Sequence, residues 1–197
     1  MRKAPRQARS REMVERIITA GRAVLIKDGY DAFSTNRVAT TAGVSPGSLY
    51  QYFPDKQAIL DVVIDRHWEH VAESVAASVS DRIGGSGASA VRDTVDALVA
   101  ALEADPALLR VIAEELPVAR NRARRGALEK QVSDLAAIYF AARPETSRRP
   151  SPTVAAWVLV LSLETLASRW VLDQPANLDR DQLLDEMVAL VMGYLQA

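Results

Sequence analysis

The 197-residue chain contains no cysteine, and this absence excludes several kinds of function. Disulfides, thiolate nucleophiles and cysteine-based metal sites are all ruled out. The glycine-rich run at 84–87 is not followed by the Gly-Lys-Ser/Thr of a phosphate-binding loop. We therefore expect neither an enzyme nor a protein with a bound cofactor.

Histidine is also scarce, since the chain has only two, His67 and His70. They lie three residues apart, near Glu69 and Glu73, and such a group could assemble a metal site. An isolated pair on a charged helix face is more often solvated, so we expect no metal.

A long hydrophobic run is missing as well. The most apolar segment, Ala155 to Leu163, ends at Glu164 and is shorter than the roughly 18 residues that a membrane span needs. The basic start MRKAPRQARSRE precedes an amphipathic pattern and not the apolar core of a secretory signal. We expect a cytoplasmic protein that does not enter a membrane.

The formal net charge is only −1, but it is unevenly distributed. Residues 1–56 hold ten lysines and arginines against five carboxylates, whereas the remaining residues hold 14 against 20. A basic segment attached to an acidic body suggests binding to a polyanion, although short basic segments are often only solvated surface.

Apolar residues recur at intervals of three and four along nearly the whole chain, and no alternating strand pattern persists. We therefore expect an all-α protein, with a connection at the glycine-rich run 84–87 and a domain boundary between residues 1–54 and 55–197. The predicted helices span 11–28, 35–42, 46–52, 55–80, 89–104, 106–115, 118–142, 153–172 and 179–195.

Residues 34–53, STNRVATTAGVSPGSLYQYF, carry the most specific pattern in the chain. Two short helices joined at Gly43 are what a helix-turn-helix requires, with the second helix free to enter the DNA major groove. Thr35 can cap the first helix, and Ser45 can cap the second by accepting a hydrogen bond from the Ser48 amide. Ala39 is small where the two helices should approach most closely, and the predicted wedge between them consists of Val38, Ala42, Val44 and Leu49.

The outward face of the second short helix is suited to DNA. Helix N-terminal amides and hydroxyls can bind phosphate oxygens, and short side chains let the backbone approach base edges. Lys56 is placed for a further phosphate. A helical hairpin inside a core is the alternative, but it explains neither the exposed small residues nor the basic first segment. The outward residues are Pro46, Gly47, Ser48, Tyr50 and Tyr52.

Over about residues 11–60 the chain resembles the TetR family of transcriptional regulators. The shared pattern is a glycine-aromatic pair after the first helix, Thr-x-x-Val-Ala, Ala-Gly-Val-Ser at the turn, then Gly-x-Leu-Tyr-x-Tyr-Phe and a lysine. The resemblance implies a homodimer that binds a palindromic double-stranded operator, commonly as a repressor. By position, it also implies operator contacts from Thr35, Asn36, Arg37, Ser45, Pro46, Gly47, Ser48, Tyr50, Tyr52 and Lys56. The residue types at positions 36 and 37 vary across the family.

Beyond about residue 60 the resemblance is only architectural, and it implies a helical domain for dimerisation and binding of a small-molecule effector. The predicted helices 153–172 and 179–195 have apolar arcs wider than one core face requires. We expect them to form a four-helix interface with their twofold mates, although burial within one chain would also account for the arcs. An effector that favours another angle of the helix 55–80 would then lower the affinity for DNA.

The candidate effector pocket lies among the middle helices, but each of its residues could instead be core or surface. Glu164 interrupts an apolar helix and is either a pocket group that favours a polar or cationic ligand, or an interface residue paired across the dimer. The basic run RNRARR at 120–125 should pair with Glu114, Glu115 and Glu129, or contact DNA or the first domain. The pocket candidates are His67, Trp68, Leu102, Leu109, Ile112, Tyr139, Trp157, Glu164 and Trp170.

Two other functions stay possible on the sequence. A DNA-binding regulator without a small-molecule effector, controlled by a protein partner or by its own abundance, would have a solidly packed second domain. A helical dimer that has lost DNA binding would be unaffected by changing Tyr50 and Lys56 to alanine.

Overall fold

The structure is a computed structural model that describes residues 3–81, 87–143 and 147–196, without the side chains of 3–7, 80–81, 118–124 and 127–128. The described part of the chain is helical and contains no β-strand, which confirms the predicted all-α class. Of the predicted connection at 84–87, only Gly87 lies within the described residues. The helices are α1 (Lys3–Ala32), α2 (Thr35–Ala42), α3 (Pro46–Tyr50), α4 (Lys56–Asp81), α5 (Ala88–Glu103), α6 (Pro106–Glu114), α7 (Val118–Ala142), α8 (Pro152–Asp173) and α9 (Arg180–Gln196).

The bounds of α1 differ most from the prediction. The bounds of the other predicted helices agree with the structure to within two residues. The helix begins at Lys3 and continues past Gly29, where two helical segments meet at a kink. Gly29 has φ 77° and ψ 175°, a conformation open essentially to glycine. The Tyr30 amide just after the kink donates to Glu115 Oε2 at 2.8 Å.

Packing groups the chain into two compact units. The first unit comprises Met1–His67 and Arg110–Asn121, and the second comprises Trp68–Leu109 and Arg122–Ala197. The first unit therefore includes the beginning of α4 and the segment Arg110–Asn121. Both lie beyond the predicted domain boundary between residues 54 and 55.

The first unit has its core around α1, α2, α3 and the start of α4. Gly21 of α1 lies so close to α4 that an added Cβ would be 2.7 Å from Ile59 Cγ2. A larger residue at position 21 would force the two helices apart, so the absence of a side chain sets their spacing. The largest fully buried side chains of this unit include Ile17, Leu25, Phe33, Leu49, Ile59, Leu60 and Ile64.

In the second unit, α5 packs against α8 and α9. A cluster of Ala155, Leu159, Val191 and Leu195 lies between α8 and α9. Arg180, at the start of α9, ties that helix to α5 by hydrogen bonds to Asp96 (2.6 Å) and Glu103 (3.0 Å).

By length and apolar composition alone, α8 could cross a membrane, and only a third of its most apolar window is buried (33%). Both criteria are also met by core helices of water-soluble proteins. Within α8, Glu164 is buried and forms an ion pair with Arg125 of the same unit, as expected for a helix that packs inside a protein.

Candidate DNA interface and effector pocket

The beginning of the helix-turn-helix differs in one residue from the prediction. Ser34, and not Thr35, caps α2, because its hydroxyl accepts from the Arg37 amide (3.4 Å). Thr35 is the first helical residue, and its hydroxyl instead lies 3.0 Å from the hydroxyl of Tyr50. This contact links the start of α2 to the end of α3.

The turn itself has the predicted geometry. Gly43 is left-handed (φ 64°, ψ 38°), and its amide donates to carbonyls of the last turn of α2. Ser45 Oγ accepts from the Ser48 amide at 3.0 Å, so the predicted cap of α3 is confirmed, with Pro46 at the first helical position. Of the predicted wedge, Val38, Ala42 and Leu49 are buried and Val44 is half-buried, and Ala39 is buried as well.

The predicted DNA contacts fall on one segment but differ in exposure. Both cations among them have partners within the first unit: Arg37 forms an ion pair with Asp28 (2.7 Å), and Lys56 Nζ donates to the Phe33 carbonyl (3.3 Å). Lys56 therefore also holds the start of α4 against the end of α1. Asn36, Arg37, Ser45, Pro46, Gly47 and Tyr50 are exposed, whereas Thr35, Ser48, Tyr52 and Lys56 are half-buried.

Glu115 has a structural role in this unit that the sequence did not predict, since it was expected only as a partner of the basic run 120–125. It lies 85 positions from Tyr30 and accepts a hydrogen bond from the Tyr30 backbone amide. A Cβ added to Gly29 would lie 2.7 Å from Glu115 Oε2. The sequence carries no signal for a contact over this distance, because nothing local shows that the segment after α6 packs with α1.

The second unit contains a cavity of about 380 Å³ among α4, α5, α7, α8 and α9. Its walls are mostly aliphatic and aromatic. Three of the predicted pocket residues line it, namely Trp68, Tyr139 and Glu164.

The structure places the other six candidates away from the cavity walls. Leu102, Leu109 and Ile112 are buried in helix packing, and His67 is buried in α4. Trp157 is 59% exposed on α8, and Trp170 is half-buried with its Nε1 donating to the Leu178 carbonyl.

A charged cluster forms the polar end of the cavity. Arg125 forms ion pairs with Glu164 and with Glu129, whose Oε1 lies 2.8 Å from Arg125 Nε. Ser168 donates to Glu164 Oε1 at 2.8 Å, and the Arg125 guanidinium carbon lies 5.6 Å from the centre of the Trp68 ring. Glu164 therefore has its ionic partner within its own chain while it lines the cavity.

Of the basic run 120–125, the structure describes only the side chain of Arg125. Its last residue, Arg125, pairs with Glu129 as predicted, and the side chains of 120–124 lie outside the described residues. Glu114 forms an ion pair with Arg110 (3.0 Å), and Glu115 accepts a hydrogen bond from the Tyr30 amide.

The two histidines differ in environment, since His67 is buried and His70 is exposed. Over the described part of the chain, no group of three or more His, Asp and Glu side chains could hold a metal ion.

The outer surface of α8 and α9 exposes large apolar side chains. Those more than a third exposed on these helices are Val154, Trp157, Leu161, Leu166 and Leu190.

Two family models match the chain. The one described as bacterial regulatory proteins, tetR family, covers residues 17–63, and the one described as tetracyclin repressor-like, C-terminal domain, covers residues 88–195.

Named relatives fall into two groups. The HTH-type transcriptional repressor KstR of Mycolicibacterium smegmatis is 39% identical over 61 residues, so the match spans 31% of this chain and only 30% of that protein. An uncharacterised HTH-type transcriptional regulator of Mycobacterium tuberculosis is 26% identical over 183 residues, which are 91% of this chain and 93% of the relative.

Solved structures share the fold. A putative TetR-family regulator from Mesorhizobium loti has a TM-score of 0.74 at 21% identity, covering 95% of this chain and 96% of the other. The fatty acid degradation regulator FadR from Bacillus halodurans has a TM-score of 0.71 at 18% identity, covering 93% and 96%.

Proposed function

The chain belongs to the TetR family of transcriptional regulators, and we propose that it is a dimeric repressor that binds a palindromic DNA operator through α3. We further propose that a small-molecule effector, bound in the cavity of the second unit, releases the protein from its operator. The protein would act in the cytoplasm, where the operator is accessible.

The outer face of α3 is the main support for the DNA-binding role. Pro46 and Gly47 are exposed at its first turn, and their small size leaves the backbone open to a groove. Among the described residues, an added Cβ on Gly47 would meet only Ser45 Oγ, at 3.9 Å. Packing within the chain therefore does not require a glycine at position 47, whereas close approach of DNA does.

Selection of bound sites from a random double-stranded DNA pool tests this role. The purified protein should enrich a palindrome, because two copies of α3 related by a twofold axis address half-sites about 34–36 Å apart. Recovery of only salt-sensitive, sequence-independent binding would contradict the proposal.

Substitution of Gly47 tests the face itself. Gly47→Leu should leave the melting temperature nearly unchanged and weaken operator binding by about tenfold or more, since a side chain would hold the backbone away from the groove. Gly126→Leu, at a glycine of the second unit where no described atom lies within 4 Å of an added Cβ, is the matched control and should bind the operator normally.

The apolar outer surface of α8 and α9 supports the dimer. Exposed side chains such as Trp157 form an apolar surface that a second copy of the chain would cover. Trp157→Glu should therefore give a monomer in sedimentation. Ile138 of α7 is 67% exposed but lies outside the proposed interface, so Ile138→Glu should stay a dimer.

α4 supports the release step. It begins in the first unit, and its residues Val71, Ala72 and Val75 line the cavity in the second. An effector that binds better when α4 has a different angle would shift the population towards a form whose two copies of α3 no longer match the operator. Coupling of this kind typically changes affinity by about 5–150-fold.

The cavity also bears on the rival function, a DNA-binding regulator without an effector. A regulator without an effector should have a solidly packed second unit. The cavity of about 380 Å³ instead falls within the range of roughly 300–1,000 Å³ that is usual for ligand pockets. The cavity therefore favours control by a small molecule.

A further inference from the structure

We propose that the effector is an amphipathic monocation, whose charged group lies between Glu129, Glu164 and the Trp68 ring and whose hydrocarbon body lies along the aliphatic walls of the cavity. The inference deepens the effector function proposed above and rests on it.

The net charge of the cluster at the polar end of the cavity favours a cationic ligand. Among the described residues that line the cavity, the charged side chains are Arg125, Glu129 and Glu164. Two carboxylates share one guanidinium, so the cluster has a net charge of −1. Glu164 is only 6% exposed, and water therefore screens its charge weakly. A ligand cation would neutralise the cluster, whereas a carboxylate ligand would add a third negative charge.

The aromatic face of Trp68 also favours a cationic ligand. Its ring already holds a cation, since the Arg125 guanidinium carbon lies 5.6 Å from the ring centre. Cations are attracted to the face of an indole more strongly than to any other aromatic side chain, and burial of Trp68 (4% exposed) increases the attraction. The position is therefore suited to an ammonium or a similar organic cation.

The guanidinium of Arg125 can move away from the Trp68 ring and leave this position to a ligand. Its side chain is 31% exposed, and a long arginine side chain can turn its head group into water while its stem stays packed. Ser168 would still donate to Glu164 Oε1, so the carboxylate keeps its orientation when the guanidinium leaves. Arg125 acts in this arrangement as an internal competitor of the ligand.

The aliphatic walls of the cavity favour a ligand that also has a hydrocarbon body. They are largely aliphatic, and small inorganic cations or polyamines would gain nothing from them. A hydrocarbon body of drug size fits the volume of about 380 Å³. The walls include Val71, Val75, Val91, Leu98, Leu159 and Val191.

Three probes with the same twelve-carbon chain test the class of ligand on the full-length protein: dodecyltrimethylammonium, dodecanol and dodecanoate. By isothermal titration calorimetry below their micellar concentrations, the ammonium should bind at one site per chain and about tenfold or more tightly than dodecanoate. Tighter binding of dodecanoate, or no saturable binding of the ammonium, would overturn the proposal.

Variants locate the charge effect in the cluster. Glu164→Gln should weaken the ammonium by about tenfold and leave dodecanol unchanged, while Arg125→Gln should strengthen the ammonium, because it removes the competitor. Glu129→Gln makes the same test at a half-buried residue, in case Glu164→Gln does not fold. Asp134→Asn removes a carboxylate outside the cavity, where it pairs with Lys130, and should change nothing. Equal weakening by Asp134→Asn would show that the probe binds the acidic surface, and would overturn the proposed site.

A separate readout distinguishes the ligand class from the regulatory function. Release of operator DNA is measured with the same three probes by fluorescence anisotropy. If the ammonium binds best and the Glu164 and Arg125 variants behave as expected, the ligand class is supported even when DNA stays bound, and only effector-controlled release is then contradicted. If another probe binds best and releases DNA, the class is wrong and the release function is supported.

Discussion

The proposed DNA-binding face of the first unit is formed by helices of eight and five residues, α2 and α3, whereas the second unit contains helices of 22 and 17 residues, α8 and α9. Isolated helices shorter than about 12–15 residues are marginal in water, so α2 and α3 depend on specific residues at their ends. Ser34, Gly43 and Ser45 have these roles. The long helices are stabilised mainly by burial spread over many apolar side chains. Single substitutions should therefore have larger effects in the first unit.

Two glycines give the largest expected contrast between the units. Gly29 in the first unit has φ 77°, and an added Cβ would also lie 2.7 Å from Glu115 Oε2. The Glu115 side chain could move, but it would then lose its hydrogen bond to the Tyr30 amide. Gly29→Ala should lower the free energy of unfolding by about 3 kcal/mol, measured by urea denaturation.

The same substitution in the second unit should have the opposite sign. Gly126 lies inside α7, and no described atom is within 4 Å of an added Cβ. Gly126→Ala should raise the free energy of unfolding by about 0.5–1 kcal/mol, because alanine restricts the unfolded chain and favours a helix. Equal effects of the two substitutions would contradict the contrast.

The contrast also explains which features could be predicted from the sequence. The turn glycine at position 43 and the Ser45 cap act on neighbours within four residues, so a short stretch of sequence contains both partners. The bounds of α2 to α9 were predictable to within two residues for the same reason, whereas those of α1 were not. The choice between Ser34 and Thr35 as the cap was missed, because adjacent hydroxyl residues compete and only the backbone conformation decides between them.

The cavity depends on contacts that no local pattern specifies. Arg125 and Glu164 are 39 positions apart, and their pairing requires α7 and α8 to be adjacent in a particular rotation. Trp157 and Trp68 are both tryptophans on long helices, yet one is exposed and the other lines the cavity. Periodicity shows that a helix has an apolar face, but the wide apolar arc of α8 does not show which part faces the interior.

Two serine caps give an intermediate effect. Ser45 Oγ accepts from the Ser48 amide (3.0 Å) at the start of α3, and Ser151 Oγ accepts from the Val154 amide (3.3 Å) at the start of α8. Replacing either serine with alanine should cost about 1 kcal/mol of stability in chemical denaturation. Only Ser45→Ala should also weaken operator binding, because the five-residue α3 has little else to order its first turn. Loss of DNA binding in Ser151→Ala with an intact dimer would contradict this separation.

The smallest expected effect concerns an exposed ion pair of the first unit. Arg66 of α4 contacts both carboxylate oxygens of Glu15 in α1, at 2.5 and 2.6 Å. The hydrogen bonds from Arg66 are the largest effect, and together with its positive charge they outweigh desolvation and lower the pKa of Glu15. A lowered pKa in the folded state means that the pair stabilises the protein above the unfolded-state pKa and that the contribution is lost as the pH falls through the folded-state value.

Glu15→Gln should therefore be slightly less stable than the wild type at neutral pH and low salt, and the two melting curves should converge as the solution is acidified below pH 4.5, the ordinary pKa of a glutamate. Added salt should shrink the difference at neutral pH, because both side chains are exposed. Glu12→Gln controls for the loss of one negative charge from α1. A difference that persists unchanged in acid would mean that Glu15 acts through packing of its side chain and not through its charge.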